Sequence, residues 1–77
     1  MQYLILFEKG PTSYGAYLPD LPGCVAVGAT LAEVRKLIHE AIAIHLEDMR
    51  ATGQAVPQPT IVDCEYLPIE SSADHAA

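Results

Sequence analysis

The sequence predicts an α+β fold, a four-stranded mixed sheet with one helix packed on one face, in the chain order β-β-β-α-β. Three observations support it: three short runs of β-forming residues come first, one long amphipathic stretch follows, and a fourth β-forming run comes last. The 77 residues suffice for one domain. We place this domain at residues 1–69 and a flexible tail at residues 70–77, where the residues are mostly small and polar.

The first predicted strand covers residues 2–8 and ends at a turn signal of lysine, glycine and proline. Alternation of side chains along a strand puts Tyr3, Ile5 and Phe7 on one face and two leucines on the other. Because both faces are apolar, we expect this strand to be central in the sheet and covered on both sides.

Two further strands are predicted before the helix. Residues 14–18 form a hairpin partner for the first strand, across a short loop of residues 10–13. A loop with two prolines then follows at residues 19–23, because proline fixes φ and removes a backbone donor. Residues 24–28 form the third strand, with two valines on one face.

One helix is predicted from Thr30 to about Thr52. Thr30 and Glu33 have the spacing of a capping box, in which the hydroxyl accepts from the amide of Glu33 and the carboxylate accepts from the amide of Thr30. Gly53 can adopt the left-handed conformation that ends a helix. The apolar stripe repeats with a helical period and consists of Leu31, Val34, Ile38, Ala41, Ile42, His45 and Met49.

The fourth strand is predicted at residues 60–67, after an extended linker with Pro57 and Pro59. We expect it to return parallel to the first strand through a right-handed crossover. It carries Asp63 and Glu65 on one face and more apolar residues on the other. One helix covers only one face of such a sheet, so the other face requires a partner, and we expect a homodimer, a higher oligomer or a different protein.

The charge is negative and uneven. The net charge is −6, and residues 53–77 contain four carboxylates and no lysine or arginine. Without a basic patch we expect no direct binding of nucleic acid. An acidic surface can attract a basic protein, although negative charge can equally serve solubility alone.

No residue pattern predicts a catalytic, metal or cofactor site. His45 lies on the apolar face of the helix, where a lone histidine is more often a packed residue than a catalytic one. His39 is six residues away, a spacing that does not place two ligands on one helix face. The spacing of Cys24 and Cys64 matches no metal motif, and we expect both to be reduced thiols. With no signal peptide and no membrane span, we expect a cytoplasmic protein that is not an enzyme.

The loop between the second and third strands consists of Pro19, Asp20, Leu21, Pro22, Gly23 and Cys24. Gly28 and Thr30, the single amphipathic helix, and then Pro57 and Pro59 follow it along the chain. In combination, over residues 2–68, these features resemble the N-terminal domain of HicB antitoxins. The DNA-binding extension that many members of the family carry is not recognised here.

The resemblance implies a partial RNase H-like fold without nuclease carboxylates, and oligomerisation. It also implies tight binding of a HicA-like toxin, a small basic RNA-cleaving protein whose active site the antitoxin masks. Asp20, Asp63 and Glu65 are our candidates for contacts with that toxin. Two alternatives stay open: an orphan oligomeric domain with a structural or regulatory role and no toxin, and a weak nuclease that uses Asp63, Glu65 or Glu40.

Overall fold

Three strands and one helix make up the regular structure of the computed structural model, which describes residues 1–70. The strands are β1, Leu6–Lys9, β2, Tyr14–Tyr17, and β3, Val25–Gly28. The helix, α1, is Leu31–Ala51. The predicted α+β class is therefore confirmed, and residues 71–77, which include most of the predicted flexible tail, lie outside the described part of the chain.

The sheet is antiparallel throughout, in the order β1-β2-β3. Its register aligns Leu6 with Tyr17 and Tyr17 with Val25. The prediction that the first strand is central is wrong for this sheet: β2 is central, and β1 lies at an edge. β1 also begins four residues later than predicted, because residues 2–5 have no β2 residues opposite them in the ladder.

Local signals fix both ends of α1. Thr30 is the N-cap, and its Oγ1 accepts from the Glu33 amide at 3.0 Å. The Glu33 carboxylate accepts from the amide of Ala29 at 2.6 Å, one residue earlier than predicted. Gly53 follows the helix with a φ of +75°, in the left-handed region where a glycine is favoured.

The core lies between the sheet and one face of α1. Its buried members come from β2, from the loop before β3, and from two turns of the helix: Ala16, Leu18, Leu21, Cys24, Val34 and Ile38. Partly buried apolar residues of the N-terminal strand region, among them Tyr3, Ile5 and Phe7, pack against this group. The Arg35 guanidinium lies over the Phe7 ring, 4.6 Å from its centre.

The proline-rich loop, which we define as residues 18–24, is a structural part of this core. Two backbone hydrogen bonds close two successive turns, from the Leu21 amide to the Leu18 carbonyl at 3.2 Å and from the Cys24 amide to the Leu21 carbonyl at 3.1 Å. Each turn has proline at its second position, and Gly23, third in the second turn, has a φ of +87°, as a type II turn requires. The turns direct Leu21 inward, where it is fully buried.

The predicted fourth strand does not form a ladder. Residues 60–67 are all described, and none is in a strand. Two amides that a ladder would use are bonded to carboxylates instead: the Thr60 amide donates to Asp20 and the Cys64 amide donates to Asp63. The sheet therefore has three strands, and the partial RNase H-like topology, which needs the fourth, stays a prediction.

Candidate protein-binding site

The carboxylate of Asp20 binds Thr60, at the point where the chain leaves the folded part. Both oxygens of Asp20 accept hydrogen bonds from Thr60, one from the backbone amide at 3.0 Å and one from the hydroxyl at 2.6 Å. We call this pair of hydrogen bonds the Asp20–Thr60 clamp, and it joins positions 40 residues apart. It fixes the point at which the chain after the helix passes the proline-rich loop.

The clamp changes the acidity of Asp20. The hydrogen bond from the Thr60 hydroxyl, followed by the one from the Thr60 amide, lowers the pKa of the Asp20 carboxyl from its usual value. Both donors favour the ionised form, so Asp20 is held as a carboxylate at neutral pH. Its two oxygens point to this chain's own backbone and hydroxyl groups.

A second contact supports the same region. The hydroxyl of Tyr3 donates to the carbonyl of Pro57, three residues before the clamp. Tyr3 thereby ties the linker after the helix to the chain ahead of β1. Residues 57–60 are in this way attached at two points to the folded part.

Beyond the clamp, residues 61–70 form what we call the C-terminal segment. Its first residues face residues 2–4 across a cleft of about 180 Å³, and Tyr66 lies further along, near Phe7 and Lys9. The segment therefore follows the outer edge of β1 in the parallel direction, but it stands away from that edge. Val62 and Tyr66 are each 97% exposed.

The C-terminal segment combines exposed acidic and exposed apolar side chains. The acidic residues are Asp63, Glu65 and Glu70, and no basic residue lies among them. The exposed apolar residues are Val62, Tyr66, Leu67 and Ile69. Anionic groups provide attraction at long range and apolar groups provide contact area, so the segment has the composition of a protein-binding surface.

The three residues predicted for partner contacts occupy two different settings. Asp63 and Glu65 lie on the C-terminal segment and are exposed, although Asp63 also accepts from the neighbouring Cys64 amide at 2.8 Å. Asp20 lies in the clamp, within the chain's own hydrogen bonds. Sequence reasoning missed the clamp and the role of Thr60, because no local pattern links two polar residues so far apart.

His45, the most conspicuous histidine of the sequence, lines an open groove of about 420 Å³ between the start of β3 and α1, together with Cys24 and Asp48. Burial raises the pKa of the Cys24 thiol above its usual value, which disfavours the reactive thiolate. Within residues 1–70, no three histidine, cysteine or carboxylate side chains come together as metal ligands would.

Among the described residues, no helix combines the length and the apolar character needed to cross a membrane. The fold and the site together define a small α+β domain that displays an acidic and apolar segment suited to contact with another protein. The chain belongs to the family described as HicB-like antitoxin of bacterial toxin-antitoxin systems, whose pattern matches residues 3–72.

The chain is also similar to two proteins without an assigned function and to one solved structure. The chain is 35% identical over 67 residues to an uncharacterized 14.9 kDa protein of Haemophilus phage HP1, covering 87% of this chain and 50% of that protein. It is 36% identical over 61 residues to a UPF0150 protein of Synechocystis, covering 78% of this chain and 77% of the relative. The chain thus spans half the length of the phage relative.

The structural likeness is to a chain of a complex described as the HicA3 and HicB3 toxin-antitoxin complex. The TM-score is 0.65 at 33% sequence identity, and the match covers 77% of this chain and 70% of that chain. The family resemblance read from the proline-rich loop is confirmed, and an antitoxin role is supported at the level of the family.

Proposed function

We propose that this protein is an antitoxin that binds a small basic HicA-type toxin and blocks RNA cleavage by covering the toxin's active site. In this proposal it acts by binding and catalyses no reaction. The observation that carries the proposal is the C-terminal segment, which extends from a fixed clamp and exposes acidic and apolar residues together. Support also comes from the likeness to a chain of a toxin-antitoxin complex.

The charges of the two partners explain why such a segment suits this task. An RNA-cleaving protein needs positive charge to hold the phosphates of its substrate. A segment with three carboxylates and no basic residue competes for the same positive surface. When the carboxylates meet that surface, the adjacent apolar side chains, such as Tyr66 and Leu67, can be buried against it and slow dissociation.

The clamp contributes by limiting the freedom of the segment before binding. The Asp20–Thr60 hydrogen bonds and the Tyr3–Pro57 contact fix residues 57–60 to the folded part. Less conformational entropy is then lost when the toxin orders the rest of the segment. In this proposal Asp20 positions the binding segment, and Asp63 and Glu65 contact the toxin.

The test uses a HicA-type toxin encoded beside this protein, co-expressed with it and then assayed for complex formation and for RNA cleavage. We expect a stable complex in which cleavage is suppressed. The double variant Asp63→Asn/Glu65→Gln should slow association by about tenfold at low salt, because steering by charge affects association rates by factors of this order. The dissociation rate should change less.

The matched control is Glu40→Gln/Glu47→Gln, which removes the same charge from two exposed positions of α1. It should leave the association rate within a factor of about two, since neither carboxylate lines the clefts beside the segment. Equal slowing by both double variants would assign the effect to net charge and refute the segment as the binding site. If no complex forms, the orphan domain without a toxin becomes the better interpretation.

A further inference from the structure

Two of the chain's four basic residues meet at one end of the sheet. Lys9 is the last residue of β1 and Arg35 lies in α1, and both line an open cavity of about 310 Å³. The aromatic rings of Phe7 and Tyr14 line it as well. We call this cavity the basic-aromatic pocket. The fold thus brings together cations and rings that lie far apart in the sequence.

The basic-aromatic pocket is locally positive in a chain whose net charge is −6. The Arg35 guanidinium lies over the Phe7 ring, an arrangement in which the face of the ring attracts the cation. Among the described residues that line the pocket, Glu8 is the one carboxylate, and it offsets one of the two cations. One positive charge therefore remains beside aromatic surface, where a negatively charged group is attracted.

The C-terminal segment already reaches this pocket. Tyr66 is among the lining residues, yet its side chain is 97% exposed, so it borders the pocket without filling it. Glu65 directly precedes Tyr66, and Asp63 lies two residues further back. An aromatic ring flanked by carboxylates complements a pocket of rings and cations in both shape and charge.

The Asp20–Thr60 clamp keeps the segment near the pocket. Thr60 is bound to Asp20, and Tyr66 follows six residues later in the chain. A short tether of this kind gives an effective concentration of about millimolar or more, so even a weak contact within the chain is well populated. The same segment is therefore available to two surfaces of opposite charge, its own pocket and a basic partner.

We propose that the C-terminal segment docks on its own basic-aromatic pocket when no toxin is bound, with the Tyr66 ring entering the pocket and its flanking carboxylates facing Lys9 and Arg35. The contact is made by side chains and needs no hydrogen-bonded ladder to β1. A toxin then binds the molecules in which the segment is exposed, so docking weakens the apparent affinity in proportion to the docked population. This regulation rests on the proposed function, whereas docking itself does not.

The first test follows Tyr66 in the full chain without a toxin. The chain contains no tryptophan, so Tyr66→Trp introduces a single fluorescent reporter and keeps an aromatic ring at the docking position. Acrylamide quenching measures how accessible this reporter is to solvent. We expect the quenching constant to be clearly smaller than that of N-acetyltryptophanamide, because the docked ring is covered by the pocket.

The four basic residues supply a matched pair of variants. Lys9→Gln/Arg35→Gln removes both cations of the pocket, and Lys36→Gln/Arg50→Gln removes one lysine and one arginine from other positions of α1. Both therefore change the net charge equally. In the reporter background the pocket variant should raise the quenching constant by about twofold, as the docked population is lost, and the control should leave it unchanged.

A single variant guards against an effect on folding. Lys9 is exposed at the end of β1, so Lys9→Gln should keep the circular dichroism spectrum of the wild type and still raise the quenching constant in part, and Lys36→Gln is its control. A reporter as accessible as N-acetyltryptophanamide without any of these changes would overturn the proposal. Equal quenching in the pocket variants and their controls would overturn it as well.

The second test adds the HicA-type toxin and measures the dissociation constant of the complex. Lys9→Gln/Arg35→Gln should bind the toxin about threefold to tenfold more tightly than Lys36→Gln/Arg50→Gln, because the segment no longer has a competing site. Equal affinities would overturn the regulation of toxin binding. Since quenching is measured without a toxin, docking is confirmed or refuted there whether or not a toxin complex forms.

Discussion

Two stretches of this chain have similar composition, but one contributes to the core and the other is exposed. The proline-rich loop, residues 18–24, and the C-terminal segment, residues 61–70, both mix apolar residues with proline and acid. The loop closes on itself through two turns and buries Leu21 completely, whereas the segment leaves Tyr66 almost fully exposed. The comparison shows that apolar residues in a similar context are buried where two turns direct them into the core, and stay exposed where the chain leaves the folded part.

The largest expected difference between the two stretches is in their contribution to stability. Leu21→Ala should lower the free energy of unfolding by about 2–5 kcal/mol, since it leaves a cavity at a fully buried position of a small core. Leu67→Ala, the same substitution in the C-terminal segment, should change it by less than about 0.5 kcal/mol. Urea unfolding followed by circular dichroism measures both. Comparable losses in the two variants would contradict the division into a core loop and an exposed segment.

A smaller effect is expected at the N-terminus of α1, which belongs to the folded part. Thr30→Ala removes the hydroxyl that accepts from the Glu33 amide. It should cost about 1 kcal/mol, the usual value for loss of an N-cap. Thr12→Ala, at an exposed position in the first hairpin loop, is the matched control and should be nearly neutral. Equal effects in urea unfolding would show that the cap contributes nothing beyond the loss of a surface threonine.

The sequence predicted those features whose determinants are local. The helix from Leu31 follows from an apolar stripe with a capping threonine, and the turn before β3 follows from Pro22 and Gly23. The three strands of the sheet were also predicted, with ends that differ by up to four residues.

The features that the sequence did not predict correctly depend on pairing across long stretches of chain. The fourth strand, and a central position for the first strand, were expected from the alternation of apolar residues. That pattern does not reveal that carboxylates accept hydrogen bonds from the amides of Thr60 and Cys64. The Asp20–Thr60 clamp joins two polar residues that no periodic pattern connects. Of the candidate contact residues, Asp63 and Glu65 lie on an exposed segment in the structure, and their role in binding stays a prediction.

The smallest expected effect concerns the clamp that connects the two stretches, and it depends on pH. Hydrogen bonds from Thr60 lower the pKa of Asp20 in the folded protein. A lowered folded-state pKa means that the stabilisation is fully present above the unfolded-state value, near pH 4, and is lost as the pH falls through the folded-state value. Thr60→Val removes the hydroxyl donor, which is the largest cause of the shift, and keeps the amide.

We therefore expect Thr60→Val to be slightly less stable than the wild type at neutral pH and equally stable once Asp20 is protonated. The urea midpoints of the two proteins are measured at several pH values, from about 6 down to about 3. The difference between the two midpoints should shrink as the pH falls. Asp20→Asn, which cannot ionise, should show the same convergence with the wild type. A stability difference that stays constant with pH would mean that the threonine contributes through packing, and that the carboxylate charge does not hold the C-terminal segment in place.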